Sequence, residues 1–520
     1  QAPGNSPGNI NVSTLTLAGG GGYNLELANV SGTAGLDWDL ITVGSGSGAS
    51  TITANATNQF TIYINGNPTG WDTNTSTSWN IIDWGTVTNF DATAFAVDIT
   101  GFTGTAPIGT WAVSNTAGYL SLDYMAGDPT WNGGTGNWST GFTPTVNGNN
   151  KNIYFVGNST ATATNDIASA TVASVASITF NSTAGAYTLA ANSGSAGYNA
   201  TSALELLGNI VNNSNATQTI NLALTSNTTR VYDAAAGNIT IGGPISGTGG
   251  LTKNGSNTLA LSGVNTYSGD TTISNGTLTI SSAGQLGSGS YSGNISNAGT
   301  FNYASSANQT LSGTISGTGD LTKDGASTLT LSHANTYNGT TTITSGTLRA
   351  EVANALGDTR EVMVNSGGSL LIAASEAIDN AAAVKLNGGT MKFDGNVTET
   401  LGAFTLLANS TIDMADGHIW LQFSGLSAEM THELKIYNYT INSDHLYFDS
   451  NTYLTNSLDN IKFYSDSGSN LIGDSFIRNS FEVYSPEDPV VPTVPEPETY
   501  ATAALLLLGL GIYAYRRRQS

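Results

Sequence analysis

The sequence predicts an all-β fold of stacked coils, and three observations carry the prediction. A 34-residue stretch opening at Gly247 recurs at Gly317 without a gap and with 21 identical positions, which marks a structure assembled from like units. Inside each copy, short runs such as Thr258-Leu-Ala-Leu and Thr328-Leu-Thr-Leu alternate apolar with small polar residues. That period of two belongs to strands buried on one face. Glycine numbers 63 of 520 residues and charged side chains make up only 10%, against roughly 7% and 25% in ordinary domains.

In the first copy the strands fall at Leu251-Thr-Lys, Thr258-Leu-Ala-Leu, Thr271-Thr-Ile and Leu278-Thr-Ile. Asn-Gly and Ser-Gly pairs between them supply turns that need positive φ. Leu251 to Ile273 and Leu259 to Ile280 are spaced by about one coil of short strands plus turns. One coil cannot bury its own apolar face, so coils must stack. Leu251, Leu259, Leu261, Ile273 and Leu278 are therefore expected inside, matched by Leu321, Leu329, Leu331, Ile343 and Leu348. His333, where the first copy has Gly263, and Arg349 are assigned to a solvated face.

The order Leu-Thr-Lys-x-Gly, Asn-Thr-Tyr-x-Gly, Gly-Thr-Leu, present at 247–280 and again at 317–350, resembles the passenger-associated (autotransporter-associated) β-strand repeat. The resemblance implies a right-handed parallel β-helix of the kind displayed on bacterial surfaces. A self-transporting protein of that type would end in a membrane β-barrel of alternating strands; this chain ends otherwise.

Residues 1–126 read as a β-rich module, with strands expected at 12–17, 23–27, 36–43, 60–64, 94–99, 111–113 and 119–124 between Gly, Asn and Ser clusters. The pattern resembles the terminal coils of other repeat-bearing surface proteins, so this module is expected to be the end of a preceding solenoid. The chain opens at Gln1 without Met or a signal peptide, which suggests a start that has been removed or a fragment edge. A β-helix is expected over 127–480. It opens on Trp131-Asn-Gly-Gly-Thr-Gly-Asn-Trp138, where Trp131 and Trp138 are candidate carbohydrate contacts, because aromatic faces suit pyranose C–H faces; the competing reading is that they close the end of the core. Short helical turns are expected at 351–356 and 375–382.

Five of the twelve prolines fall between 486 and 497, so 481–499 reads as an extended, semi-rigid linker. An uncharged apolar run over 500–515 is followed by Arg516, Arg517 and Arg518. As a helix it is about 24 Å long, enough to cross a bilayer with help from flanking tyrosines and snorkelling arginines, and the arginines place the C-terminus in the cytoplasm. A Pro495-Glu496-Pro497 motif, an apolar helix and an arginine cluster, in that order, resemble the PEP-CTERM sorting signal. The resemblance implies recognition by an exosortase in a Gram-negative, exopolysaccharide-producing bacterium. Pro495, Glu496 and Pro497 would be the recognition motif, and Arg516 to Arg518 with the helix at 500–520 would give membrane retention. Glu498 stands where that family often has Ser or Thr.

A formal charge of −22 repels nucleic acid. The absence of cysteine excludes disulfides and thiol chemistry. The wide spacing of His418, His432 and His445 matches no compact ligand motif, and no catalytic residue, metal or cofactor is expected. The expectation is an exported structural or adhesive β-solenoid. It would pass through an inner-membrane-anchored intermediate to the cell surface or matrix, with exosortase and exopolysaccharide as partners. The alternative is a carbohydrate-binding or polysaccharide-cleaving β-helix, told apart by a groove of acids, bases and stacked aromatics in place of a smooth Ser/Thr/Asn surface.

Overall fold

The computed structural model describes residues 7–31, 33–43, 51–71, 77–84, 90–103, 109–116, 118–125, 127–131, 133–138, 142–143, 150–165, 174–191, 203–414, 417–440, 443–449, 453–465, 470–474, 476–477 and 482–484. From Thr130 onward the chain winds as a parallel β-solenoid. Leu251–Asn254 pairs in parallel with Thr271–Ile273, and Thr258–Leu261 with Thr277–Ser282. Leu251 lies opposite Thr271 and Leu259 opposite Leu278, so a coil closes slightly sooner than the expected spacing of Leu251 to Ile273. The longest unbroken parallel ladder has 13 strands, flanked by sheets of 14 and 10, with a five-stranded sheet near the C-terminal end.

All ten residues expected inside are buried, none more than 1% exposed. Outer-face Thr and Ala positions alternate with them, as in the buried–intermediate pattern of Thr258–Leu261. His333 is exposed and Arg349 half-buried on the outside. The repeat itself does not return to the same face. The first copy's Leu251–Asn254 lies in the 14-stranded sheet, whereas the second copy's Asp320–Lys323 lies in the 13-stranded one. The row from Leu251 runs through Thr271 and Ile295 and reaches Ile315 after three coils. The second copy's counterpart of Leu251 is Leu321, further along the chain, and that excess carries the motif onto the next sheet. The faces are interchangeable because each presents the same row of Leu and Ile to the lumen.

The motif's other residues tie coil to coil. Gly247 and Gly317 sit at φ of 107° and 105°, and a Cβ there would lie 2.1 and 2.2 Å from the carbonyls of Ser226 and Asn297 in the coil before, so only glycine fits. Asn265 accepts the Ile245 amide at 3.0 Å and Asn335 that of Ile315 at 2.6 Å. The hydroxyls of Tyr267 and Tyr337, both buried, pair within their own coil with those of Thr271 and Thr341 at 2.8 and 2.7 Å, and these threonines reach Tyr291 and Thr359 of the next coil at 2.7 and 3.1 Å. Each of these buried polar groups thus has a partner, as burial demands.

Antiparallel strands close the stack. Phe142–Thr143 turns back on Thr130–Trp131 at one end; at the other, Asn470–Asp474 lies on Ile461–Ser465 and Glu482–Tyr484 on His445–Phe448. A reversed strand satisfies the edge of a parallel ladder without starting another coil. The earlier part of the chain has its own core cluster, including Leu25, Ile62, Trp79 and Leu122. There Asn9–Val12, Leu40–Val43 and Thr77–Asp83 stack in order, and the hairpin of Thr110–Thr116 and Tyr119–Met125 closes them. The strand Thr77–Asp83 was not legible in the sequence. Residues 351–356 and 375–382 form turns and no helix, whereas Leu454–Ser457 is one short helical turn. Among the described residues no helix is long and apolar enough to cross a membrane. The run at 500–515, Pro495 to Pro497 and Arg516 to Arg518 lie outside the described residues.

Leu261→Asp should destabilise the solenoid by about 3–5 kcal/mol, since it places an unpaired carboxylate in the lumen. Ala260→Asp on the outer face should change stability by less than about 0.5 kcal/mol. Urea unfolding of both variants checks the assignment; equal effects would mean the faces are assigned wrongly.

Candidate binding surface

Trp131 and Trp138, the candidate sugar contacts, are buried at 1% and 0% exposure, and this corrects that expectation. The alternation that aims Ile153 and Phe155 inward also places Trp131, which is paired with Phe155, in the lumen. Trp131 and Trp138 meet Phe142 edge-on at centroid distances of 5.1 and 5.6 Å, and Phe155, Phe180 and Tyr187 continue the aromatic plug. Both tryptophans close the core, and neither offers a ring face to a sugar.

The sequence reading missed the buried charges. Lys253 and Lys323, the lysines of the repeat, are fully buried. The Lys253 Nζ donates to the carbonyls of Asn254 and Gly255, each at 2.7 Å, and to Asn275 of the next coil at 3.0 Å. Lys323 repeats this with Gly325 and with Ser345 at 3.1 Å. Burial pulls both ammonium groups down to about 8, opposed by Asp233 and Asp324 respectively. Parity was the available signal: in Leu251-Thr-Lys the lysine shares the phase of an inward leucine. Glu399 is likewise fully buried, accepting the amides of Ala377 and Ile378 at 3.1 and 2.8 Å. Asp444 accepts those of Ile419 and Thr440 at 2.9 and 2.6 Å; its carboxyl is raised by burial against those bonds. Strongly perturbed groups often mark catalytic sites; these four bond backbone groups between coils.

The histidines do not converge. His418 bonds Ser443, His432 bonds Thr431 at 3.1 Å, and His445 bonds Glu482 at 2.6 Å. Among the described residues no group of three or more His, Asp or Glu is placed to hold a metal. A groove of about 640 Å³ beside Ser159, Thr183, Gly185 and Asn215 is lined by small and amide side chains without a charge. Four basic groups on the outer faces are paired with acids: Lys385 with Glu361 at 2.8 Å, Lys392 with Asp413 at 3.1 Å, Arg349 with Asp394 at 2.8 Å and, more loosely, Arg360 with Asp320 at 3.8 Å.

One outer face differs. On the five-stranded sheet, Ile419–Phe423 and His445–Phe448 stack in parallel, so Trp420 lies opposite His445 and Gln422 opposite Tyr447. Trp420 is 40% exposed. Its ring stands 4.9 Å from His445 and 4.7 Å from Tyr447, and the last two rings stack at 5.9 Å. Gln422 donates to Asp449 at 2.7 Å beside them. Ile419-Trp-Leu-Gln-Phe reads in sequence as a strand with Trp420 outward, and that parity was the clue.

Residues 251–280 and 321–350 match the family described as the passenger-associated-transport-repeat. A stretch of 101 residues, 19% of the chain, is 37% identical to the adhesin BmaC autotransporter of Brucella suis biovar 1 (strain 1330). It spans only 3% of that protein's length. No solved structure matches.

The buried carboxyl of Glu399 gives a pH dependence with a definite sign. Burial, the dominant cause, pushes it from 4.5 up to about 8. Between those values the folded chain holds a proton that the unfolded chain has released, so this group's contribution to stability falls as pH rises from about 4.5 to about 8. Glu399→Gln removes the slope, at the cost of one of the two accepted amides: whatever the offset near pH 4, the melting temperature of the variant should gain on that of the parent as pH rises to 8. Parallel curves across that range would refute the assignment.

Proposed function

We propose that the chain is an exported, surface-displayed adhesive β-solenoid, sorted through a PEP-CTERM signal. The observation that carries the reading is the pair of passenger-type repeats set in an unbroken parallel solenoid. The likeness of one segment to a bacterial adhesin supports it, as does an outer surface rich in Thr, Ser and Asn, the kind that remains soluble when displayed. No catalysis is part of the proposal, because Lys253, Lys323, Glu399 and Asp444 are fully buried, where no substrate reaches them.

The sorting step rests on the order of physical types from Pro486 to Ser520, since Glu482–Tyr484, expected in the linker, is a strand paired with His445–Phe448. A proline-rich spacer presents Glu496 in an extended backbone at little ordering cost. The apolar run at 500–515 enters the membrane and Arg516 to Arg518 stop transfer, leaving the motif near the outer face of the inner membrane for an exosortase. From there the chain reaches the surface or an exopolysaccharide matrix.

Replacing Pro495, Glu496 and Pro497 by alanine should block tail removal in an exosortase-positive host while leaving membrane insertion intact. Replacing Arg516 to Arg518 should weaken retention instead. Mass spectrometry of the surface protein reads the outcome. Mature protein still ending at Ser520 in the parent would reject sorting and leave a plain anchor; a chain protected from external protease on whole cells would reject surface display.

A further inference from the structure

We infer that the face formed by Trp420, His445 and Tyr447, edged by Gln422, Asp449 and Glu482, is a binding platform for a neutral, flat, β-linked glycan. The inference rests on the surface-adhesive reading and gives it a ligand class.

Four observations carry it. The solenoid's other two tryptophans, Trp131 and Trp138, fill the lumen, whereas Trp420 stands on the outside at 40% exposure. An aromatic face carries negative charge density, and the axial C–H bonds of a pyranose present a weakly positive apolar face that suits it. Second, the rings stand on paired strands, Trp420 opposite His445 and Tyr447 on the diagonal. His445 and Tyr447 pack against Trp420 and each other, so the exposed part of the Trp420 ring is held in place before any ligand arrives, the arrangement that reduces ordering cost at binding.

Third, planar polar groups lie at the edge where a sugar's hydroxyls would fall. Gln422 and Asp449 are joined at 2.7 Å, and the His445 Nδ1 meets the Glu482 carboxylate at 2.6 Å. That bond uses Nδ1 and leaves the His445 Nε2 on the open side, where it can meet a sugar hydroxyl. A few polar groups around an apolar base are the usual make-up of a specific ligand site. Fourth, the charge is one-sided. Asp449 and Glu482 edge the face, and Glu482 is the partner of its imidazole. An anionic polysaccharide meets repulsion there, and a neutral one does not. An all-equatorial β-linked chain presents its axial C–H bonds as a flat apolar face that suits the exposed side of Trp420; a helical α-linked chain does not.

Cellohexaose is the probe, titrated into the full exported chain by calorimetry and by tryptophan fluorescence, with maltohexaose and polygalacturonate alongside. Binding of cellohexaose in preference to both is expected. Trp420→Ala should weaken it by about tenfold or more, Trp420→Phe should keep it within about threefold, and neither should move the melting temperature, since the side chain stands outside the core. Gln422→Ala tests the polar edge and should weaken binding severalfold. Absence of cellohexaose binding overturns the inference, as does binding unchanged by Trp420→Ala. Self-association that disappears in Trp420→Ala also overturns it, because the face would then be a contact between copies. Binding in solution does not depend on export, so a chain that binds cellohexaose but is shielded on cells refutes surface display and leaves the platform standing.

Discussion

Parallel stacking in register is the constraint on which the rest of the solenoid depends. Side chains alternate with a period of two, so a slip of one residue in any coil would turn its whole inner row outward. Leu259 over Leu278 and Leu261 over Ile280 set the phase for their coils, and each later coil inherits it from the one before. Strands this short hold little apolar area apiece, which leaves the turns as the weak points. There the chain uses side chains to tie coils: asparagine at 265 and 335, glutamine at 218 and 309, lysine at 253 and 323, and a carboxyl at 399. Each bonds a backbone group one coil away. Every such polar side chain is costly to bury alone and tolerable once bonded.

Much of this was legible because it is local and periodic. The alternation fixed which leucines and isoleucines of the repeat lie inside, and the Gly-rich pairs marked the turns. Parity alone places Lys253 and Lys323 inside, whereas charge argues against burial, and the two local signals conflict. The carbonyls that make burial tolerable belong in part to turns of the next coil, as Asn275 does for Lys253, and nothing local announces them. For Trp131 and Trp138 the sequence left two readings, display beside a Gly-rich turn and closure of the core, and closure is the outcome; the rings that decide it, Phe155, Phe180 and Tyr187, come from strands further along the chain. The shift of the repeat by one face was also invisible, since it depends on how much chain each intervening coil consumes.

Trp420 shows how a site can be hidden in a regular pattern. In Ile419-Trp-Leu-Gln-Phe the phase that sends Ile419, Leu421 and Phe423 inward leaves Trp420 outside with Gln422. A lone outward tryptophan draws no notice on a strand, since single exposed apolar residues are common. Its neighbours give it meaning, and His445 and Tyr447 arrive from another coil by the same parity rule. The inner positions of a solenoid are committed to packing, so selection for binding has only the outer rows to act on.

Coil length explains why such a face occurs where it does. Along the 10-stranded sheet the inner row passes from Leu329 to Leu348, Leu370, Met391 and Ile412 in nearly even steps along the chain. The next two steps, to Ile436 and then to Phe463, are each longer than the one before. The added residues enter turns, and a longer turn is a looser tether for the strand that follows it, though only weakly so in entropy. Asp444 offsets that loosening. Its buried carboxylate takes one amide from the turn, at Thr440, and one from the preceding coil, at Ile419. Both ends of this tie lie beside a platform residue: Ile419 immediately precedes Trp420, and Asp444 immediately precedes His445. One carboxylate therefore fixes both strands at the point where the outward rings must meet, and the stacking surface is held by the same device that elsewhere only holds coils together.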